Sequence, residues 1–102
     1  LPERAVDTPG TPVRGGVVWI DRYGNAFTSL PEEALTRFRA PVAHVAGRVV
    51  PVVRTYGDAP AGSLVALANS FGVVEVARVE GSAAEALGLD VGSRVDLAEG
   101  SP

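Results

Sequence analysis

The sequence predicts a mainly β domain, either a small antiparallel β-barrel or two packed antiparallel sheets, with one or two short helices. Short apolar segments rich in Val, Ala and Leu recur along the 102 residues, and turns containing Gly or Pro separate them. Such spacing is typical of antiparallel strands joined by short connections. Only brief stretches have helix-forming composition, so β structure is expected to supply the core.

The first third of the chain predicts two strands around a turn. Residues 17–20 form a continuous apolar run, as in a strand that is buried on both faces. The sequence DRYGN at 21–25 predicts a turn, and residues 26–30 return to an extended pattern. Pro31, followed by two acidic residues, predicts the start of a short helix that ends before Pro41.

The middle of the chain predicts a hairpin and then a loop. Residues 42–45 and 48–54 are Val-rich and flank a predicted hairpin turn at Ala46 and Gly47. Pro51 places the second strand at a sheet edge or a bulge, because proline cannot donate a ladder hydrogen bond. The sequence YGDAPAG that follows is rich in turn residues and predicts a surface loop.

The last third predicts two strands, a helix and a final strand. Residues 63–69 and 73–79 are the strands, with SFG as the turn between them. The Ala-rich stretch that follows predicts a helix in which Ser82 is the N-cap and Glu85 completes a capping box. Residues 94–97 predict the last strand.

Composition narrows the function classes. The chain has no Cys, which excludes disulfides and thiolate metal sites and suits a cytoplasmic protein. Its net charge of −3 and its scattered arginines give no electrostatic footprint for nucleic acid. No apolar run reaches the roughly 18 residues of a membrane-spanning helix. The single His44 lacks a second ligand nearby and is interpreted as structural, so neither a metal nor a cofactor is predicted.

The proposed domain limits follow from the ends of these patterns. We expect one β domain over residues 15–98, preceded at 1–14 by a linker or a partly ordered lead-in and followed by a tail at 99–102. The Pro-rich lead-in is typical of a linker, which indicates that the domain is a piece of a longer protein.

Polar side chains are concentrated where strands end. Asp21 and Asn25 lie in the first turn, Ser70 lies in the second, and Arg78 follows apolar residues of the same strand parity. Each also has an ordinary structural interpretation, in which turn side chains satisfy the backbone and the arginine stem covers the core. Tyr56 is either an aromatic wall or a rim residue. No nucleophile-and-base set and no phosphate loop is present, so the residues alone indicate binding and name no reaction.

Three segments in order resemble the C-terminal domain of the S-adenosylmethionine hydroxide adenosyltransferases, relatives of the fluorinase and chlorinase: IDRYGNAFTSL, TYGDAPAGSLVALANSFGVVEVARVEGSAAEALGL and DVGSRVDL. The resemblance runs from about Gly15 to Leu97. It implies an N-terminal α/β domain before the β domain, and a trimer with sites between subunits. In that family, water or halide attacks the ribose C5′ atom of S-adenosylmethionine and methionine leaves.

The resemblance also implies which residues bind the nucleoside part of the substrate. Asn25 matches an asparagine that hydrogen-bonds adenine, and Tyr56 falls where the family places an aromatic ring against the nucleoside. Arg78 and the backbone N–H of Glu80 match contacts to the adenine edge. Asp21 matches the acid that faces the methionine ammonium.

The methionine carboxylate is where the chain departs from the fluorinases. Ser70 matches a hydroxyl that reaches this carboxylate, but the next residue is Phe71 where fluorinase-like chains have arginine. TSL at 28–30 also replaces the common TNI. Both differences favour the hydrolase branch, which forms adenosine and methionine. The family's water-activating Asp, Arg and His belong to the N-terminal domain, so no catalytic residue is expected in this chain, which alone should be inactive.

Two alternatives to this function stay open at the level of sequence. GSAAEALGLDVGSRV resembles the Ala-rich helix and following turn of PDZ-like domains, which would make the chain a non-catalytic peptide-binding module. A free-standing nucleoside-binding domain is the other. A PDZ domain does not require the DRYGN turn, so this motif favours the family resemblance over the first alternative.

The resemblance makes one geometric prediction. Asn25, Tyr56, Ser70 and Arg78 should line one edge of the domain as half of a pocket, because a domain of this size cannot enclose a nucleoside and an amino acid alone.

Overall fold

The computed structural model describes residues 11–100. Its strands, β1 to β7, one short helix, α1, and two 3-10 helices alternate along the chain. In order they are β1 Val13–Ile20, β2 Ala26–Pro31, a 3-10 helix Glu32–Arg37, β3 Pro41–Val45, β4 Arg48–Pro51, a 3-10 helix Tyr56–Asp58, β5 Leu64–Ala68, β6 Val73–Arg78, α1 Ala83–Leu87 and β7 Arg94–Glu99.

The seven strands form one sheet in the order β4-β3-β7-β1-β2-β6-β5, with antiparallel pairing throughout. The two edges of this sheet approach each other just after β4. There Val52 bridges Ala66 of β5 in a parallel sense, and Val53 N donates to Ala66 O at 2.8 Å. The sheet is therefore a nearly closed antiparallel barrel, and the predicted fold class is confirmed.

Strand β1 belongs to both halves of the barrel. Its first half pairs with β7, from Val13 opposite Leu97 to Gly16 opposite Arg94, and its second half pairs with β2. The glycines in the middle permit close packing at this change of partner. A Cβ on Gly15 would lie 2.6 Å from Leu30 Cγ, so a side chain there would collide with the core.

Two apolar clusters lie on opposite faces of the β5–β6 pair. The main core fills the barrel and includes Ala66, Val74 and Val76 from this pair. A smaller outer cluster contains the residues of opposite parity, Val65, Leu67 and Ala77, and is covered by Val53, Ala59 and Val79. The segment between β4 and β5 therefore packs over the outside of the barrel, which places the 3-10 helix Tyr56–Asp58 beside β6.

Two predictions about the first third of the chain were wrong in detail. Residues 17–20 are not buried on both faces, because Val18 and Trp19 are more than half exposed. One face of an antiparallel sheet can remain at the surface, and Trp19 packs there edge-on against Phe27 with ring centroids 4.9 Å apart. Pro31 ends β2 and precedes the helical segment as its N-cap, and that segment is a 3-10 helix.

The other predicted elements are present. The β3–β4 hairpin turns at Ala46 and Gly47, whose φ values of 51° and 75° suit this connection. Pro51 is the last residue of β4, which lies at one end of the strand order. Ser82 caps α1 by accepting from Glu85 N at 3.1 Å.

The ordered strands extend slightly beyond the proposed domain limits. β1 begins at Val13 and β7 continues to Glu99, whose carboxylate accepts from the backbone N–H groups of Arg39 and Ala40 at 3.0 and 2.6 Å. Most of the lead-in and the last two residues of the tail lie outside the described residues. Within residues 11–100, no helix has the length and apolarity to cross a membrane.

Candidate ligand-binding cleft

A cleft of about 780 Å³ lies where the β1–β2 turn, the 3-10 helix Tyr56–Asp58 and the segment after β6 meet. We call it the polar cleft. Four residues singled out from the sequence are among those that line it, which are Tyr23, Asn25, Tyr56, Gly57, Ala59, Ala61, Arg78, Val79, Glu80 and Gly81.

Asp21 organises the side of the polar cleft formed by the β1–β2 turn. Its Oδ1 atom accepts from the backbone N–H groups of Tyr23 at 2.9 Å and Asn25 at 3.0 Å. Its Oδ2 atom accepts from Asn25 Nδ2 at 3.0 Å, so the amide group of Asn25 is held by its nitrogen end. The amide oxygen of Asn25 has no donor within residues 11–100 and can accept from a ligand. Asp21 thus lies behind Asn25 and does not line the cleft.

Gly24 brings this turn against the N-terminus of α1. Its φ is +85°, and a Cβ there would lie 1.8 Å from Ser82 Oγ and 3.0 Å from Ser82 Cα. Gly24 O also accepts from Ala84 N at 2.9 Å. Only glycine permits both the backbone conformation and this approach, and the approach places Asn25 near the segment that follows β6.

Arg78 and the turn after it form the opposite side. Arg78 Nε donates to Gly62 O at 3.1 Å, which directs the exposed guanidinium along the cleft. A Cβ on Gly81 would lie 3.0 Å from Arg78 Cδ, so the missing side chain leaves room for the arginine stem. Glu80 has a positive φ of 57°, a conformation that non-glycine residues adopt rarely and often at functional sites. Its backbone N–H has no acceptor within residues 11–100.

Tyr56 forms the aromatic wall, and its hydroxyl group is anchored below the cleft. The hydroxyl donates to Glu75 Oε2, while Glu75 Oε1 accepts from Asn69 Nδ2 at 3.2 Å. Burial raises the pKa of Tyr56 far above its ordinary value, and the hydrogen bond and negative charge of Glu75 add to this effect, as does the charge of Asp21. The hydroxyl therefore stays protonated over the physiological range.

Ser70 does not join the other predicted residues. It is exposed in the β5–β6 turn and is not among the residues that line the polar cleft. Its neighbour Phe71 is 73% exposed and contacts Phe27 on the outer surface, with ring centroids 5.8 Å apart. Of the four residues predicted to share one edge, Asn25, Tyr56 and Arg78 line the polar cleft, whereas Ser70 does not. The turn that carries Ser70 precedes β6 and so lies at the opposite end of that strand from Arg78.

Two residues of the site were missed by sequence reasoning. Tyr23 lines the cleft and stands inside the DRYGN motif, where an aromatic residue two places before an assigned asparagine was a usable signal. Glu75 was passed over as part of an apolar strand. The usable signal was a single acid between two valines of a predicted strand. An acid that is buried in a strand is rarely without a partner, so its partner could have been sought.

The side chains of the polar cleft are suited to recognition of a flat polar ligand. An amide oxygen, a guanidinium and a free backbone N–H can meet the edge of a heteroaromatic ring, and two tyrosine rings can meet its faces. Within the described part of the chain, no three His, Cys, Asp or Glu residues are grouped as metal ligands would be.

The sequence and the barrel fold have counterparts in known proteins. The family model of the SAM hydroxide adenosyltransferase C-terminal domain matches residues 15–96. The (R)-S-adenosyl-L-methionine hydrolase of Thermus thermophilus is 49% identical over 86 residues, which are 81% of this chain and 31% of that enzyme.

Two solved structures share the fold. A conserved hypothetical protein from Thermus thermophilus superposes with a TM-score of 0.69 at 42% identity, over 82% of this chain and 34% of its own. An uncharacterized conserved protein from Thermotoga maritima superposes with a TM-score of 0.75 at 26% identity, over 85% of this chain and 36% of its own. The chain therefore spans about a third of the length of each of these relatives. With a family match over nearly all of its described residues, the chain belongs to the SAM hydroxide adenosyltransferase C-terminal domain family.

Proposed function

We propose that this chain is the substrate-binding domain of an S-adenosyl-L-methionine hydrolase and that the polar cleft binds the adenosyl part of the substrate. The observation that carries the proposal is the meeting of Asn25, Tyr56 and Arg78, which come from three distant segments, around one cleft. The name of the Thermus thermophilus relative supports the choice of substrate.

Each group of the cleft has a proposed partner on the nucleoside. Adenine offers ring nitrogens that accept and an amino group that donates. The amino group can donate to the free amide oxygen of Asn25, while Arg78 and the backbone N–H of Glu80 can donate to ring nitrogens. The rings of Tyr23 and Tyr56 would contact the faces of the base.

The methionine part is assigned to the margin of the cleft. Asp21 does not line the cleft, but its negative charge lies behind Asn25 and would attract the ammonium group of methionine at that margin. Ser70 is exposed outside the cleft, so contact with the methionine carboxylate would require the substrate to extend over the β5–β6 turn.

The reaction itself is assigned to residues that this chain lacks. In the proposed enzyme an N-terminal domain positions water for attack on C5′, the C5′–sulfur bond breaks with its electron pair moving to sulfur, and adenosine, methionine and a proton result. We infer that this domain comes from a neighbouring subunit of a cytoplasmic homotrimer and supplies the missing wall of the cleft. The chain alone then binds without hydrolysing.

The binding proposal can be tested with the chain itself. Adenosine should shift the amide resonances of Asn25, Gly57 and Glu80 in NMR titrations, and Arg78→Ala or Asn25→Ala should weaken affinity about tenfold, as expected for one lost hydrogen bond. Arg48→Ala on the exposed edge strand is the matched control and should bind as wild type.

Three outcomes would contradict parts of this proposal. If both cleft variants bind adenosine as wild type does while melting at lower temperature, the residues are structural. If the chain binds a free peptide C-terminus and no nucleoside, the PDZ-like alternative is correct, although the family match already includes the Ala-rich stretch behind that alternative. If the purified chain releases adenosine from S-adenosylmethionine above a buffer blank, it is catalytic alone.

A further inference from the structure

Glu75 is a buried acid in an apolar setting. It lies in the middle of β6, only 5% exposed, on the outer face that carries the small cluster of Val65, Leu67 and Ala77. Within residues 11–100 it forms no ion pair, and both of its oxygens accept from neutral groups, the Tyr56 hydroxyl and the Asn69 amide.

Stability alone does not account for a carboxylate at this position. Burying a charged carboxylate costs free energy that neutral hydrogen bonds offset only in part. An apolar side chain of similar size would extend the outer cluster at no such cost, and replacement of buried charges by apolar residues is often neutral or stabilising. What an apolar residue cannot do is hold a hydroxyl and an amide at fixed positions.

Tyr56 depends on Glu75 for its orientation. The tyrosine begins a 3-10 helix of three residues and is 40% exposed, so packing restrains its ring only on one side. The backbone of that segment is held separately, by Asp58 Oδ2, which accepts from the backbone N–H groups of Arg54 and Thr55. The hydrogen bond to Glu75 is thus the contact that fixes the far end of the ring.

The other oxygen of Glu75 reaches the β5–β6 turn. Asn69 donates to Glu75 with Nδ2, and Asn69 Oδ1 accepts from the backbone N–H groups of Phe71 at 3.0 Å and Val73 at 3.3 Å. The same amide therefore shapes the turn that carries Ser70. One carboxylate joins a wall of the polar cleft to a turn outside it.

We propose that Glu75 is a positioning residue that fixes the Tyr56 ring as a rigid wall of the polar cleft and couples that wall to the β5–β6 turn. The identity of the ligand rests on the proposed function, whereas the coupling does not. A ring that is already oriented loses less conformational freedom when a ligand binds. Because the hydroxyl hydrogen is committed to Glu75, the phenolic oxygen can only accept from a ligand.

The first test needs no ligand. The chain has two tyrosines, so a Tyr23→Phe background leaves Tyr56 as the single titrating phenol. Burial and the Glu75 carboxylate both favour the protonated phenol, so the folded-state pKa of Tyr56 lies above the unfolded value of about 10. The resulting stabilisation is fully present below the unfolded pKa and is lost as the pH rises through the folded-state pKa. In this background, Glu75→Gln should lower the pH at which tyrosinate absorbance appears, while Glu99→Gln, which alters a carboxylate outside the cleft, should not.

The second test measures binding. Glu75→Leu and Glu75→Gln should weaken adenosine binding about tenfold, equivalent to ~1.4 kcal/mol, whereas Glu99→Gln binds as wild type. Unchanged affinity together with an unchanged Tyr56 titration would overturn the proposal. If wild type binds no adenosine, the proposed function fails, and the titration still decides whether Glu75 holds the Tyr56 hydroxyl. Should Glu75→Leu fail to fold, Glu75→Gln keeps both readouts.

Discussion

The β1–β2 and β5–β6 hairpins close with the same five-residue turn, at 21–25 and 69–73. In each, the side-chain oxygen of the first residue, Asp21 or Asn69, accepts from the backbone N–H groups two and four residues later. In each, the backbone oxygen of the first residue accepts from the glycine N–H. The backbone N–H of the first residue donates to the backbone oxygen of the fifth residue. Aromatic residue and glycine occupy the same places in both.

The two turns differ in what surrounds them. Gly24, at φ +85°, is pressed against Ser82 at the start of α1, and its turn lines the polar cleft. Gly72, at φ +82°, would meet only Glu32 Oε1 at an ordinary 3.6 Å. Its backbone oxygen accepts from Glu32 N at 2.9 Å, and its turn does not line the polar cleft. Local chemistry therefore builds the turn, and tertiary contacts decide whether it contributes to a site.

Replacing each of the two glycines with alanine should separate the free-energy cost of the backbone conformation from the cost of the tertiary contact. Of the three comparisons, we expect this one to give the largest effect. Gly72→Ala forces alanine into a left-handed conformation and should lower the free energy of unfolding by about 1–2 kcal/mol. Gly24→Ala adds a collision with Ser82, whose Oγ and Cα would lie 1.8 and 3.0 Å from the new Cβ, and should cost about 3 kcal/mol or more. Urea denaturation measures both, and equal losses would show that the contact with α1 is unimportant.

Exchanging the first residues of the turns should have an intermediate effect. Asn69→Asp keeps the oxygen that orders the turn but turns the donor to Glu75 into a second carboxylate, so we expect a loss of about 2 kcal/mol at neutral pH. The loss should shrink in acid as one carboxyl group is protonated. In the Asp21→Asn variant, the new amide faces no buried charge, so the free energy of unfolding should fall by less than about 1 kcal/mol. Thermal denaturation at two pH values checks this, and a pH-independent loss would argue against repulsion.

The aromatic residues should give the smallest effect, visible in binding rather than in stability. Tyr23→Ala should weaken adenosine binding by about 0.5–1.5 kcal/mol, the usual value of an aromatic contact. Phe71→Ala should leave binding unchanged, because Phe71 lies outside the polar cleft. Both side chains are largely exposed, so both variants should fold normally. Equal binding losses measured by NMR titration would place the ligand over both turns.

Sequence reasoning predicted the components of the site better than their arrangement. Asn25, Tyr56 and Arg78 were identified and do line one cleft, whereas Ser70, from an equivalent turn, does not. Turn chemistry is local and leaves a sequence signature, but two turns with the same signature cannot be told apart without their neighbours. Glu75 shows the same limit, since its partner Tyr56 lies 19 residues away.

The sequence by itself determined the strands, the turns and the mainly β class, because alternating burial and turn conformation depend on residues a few positions apart. Tertiary structure decided which strand ends meet. The closing contact between Val52 and Ala66, and the approach of Gly24 to Ser82, join segments far apart in the chain. Such contacts form only when the whole barrel closes, and it is this closure that collects three scattered polar side chains into one cleft.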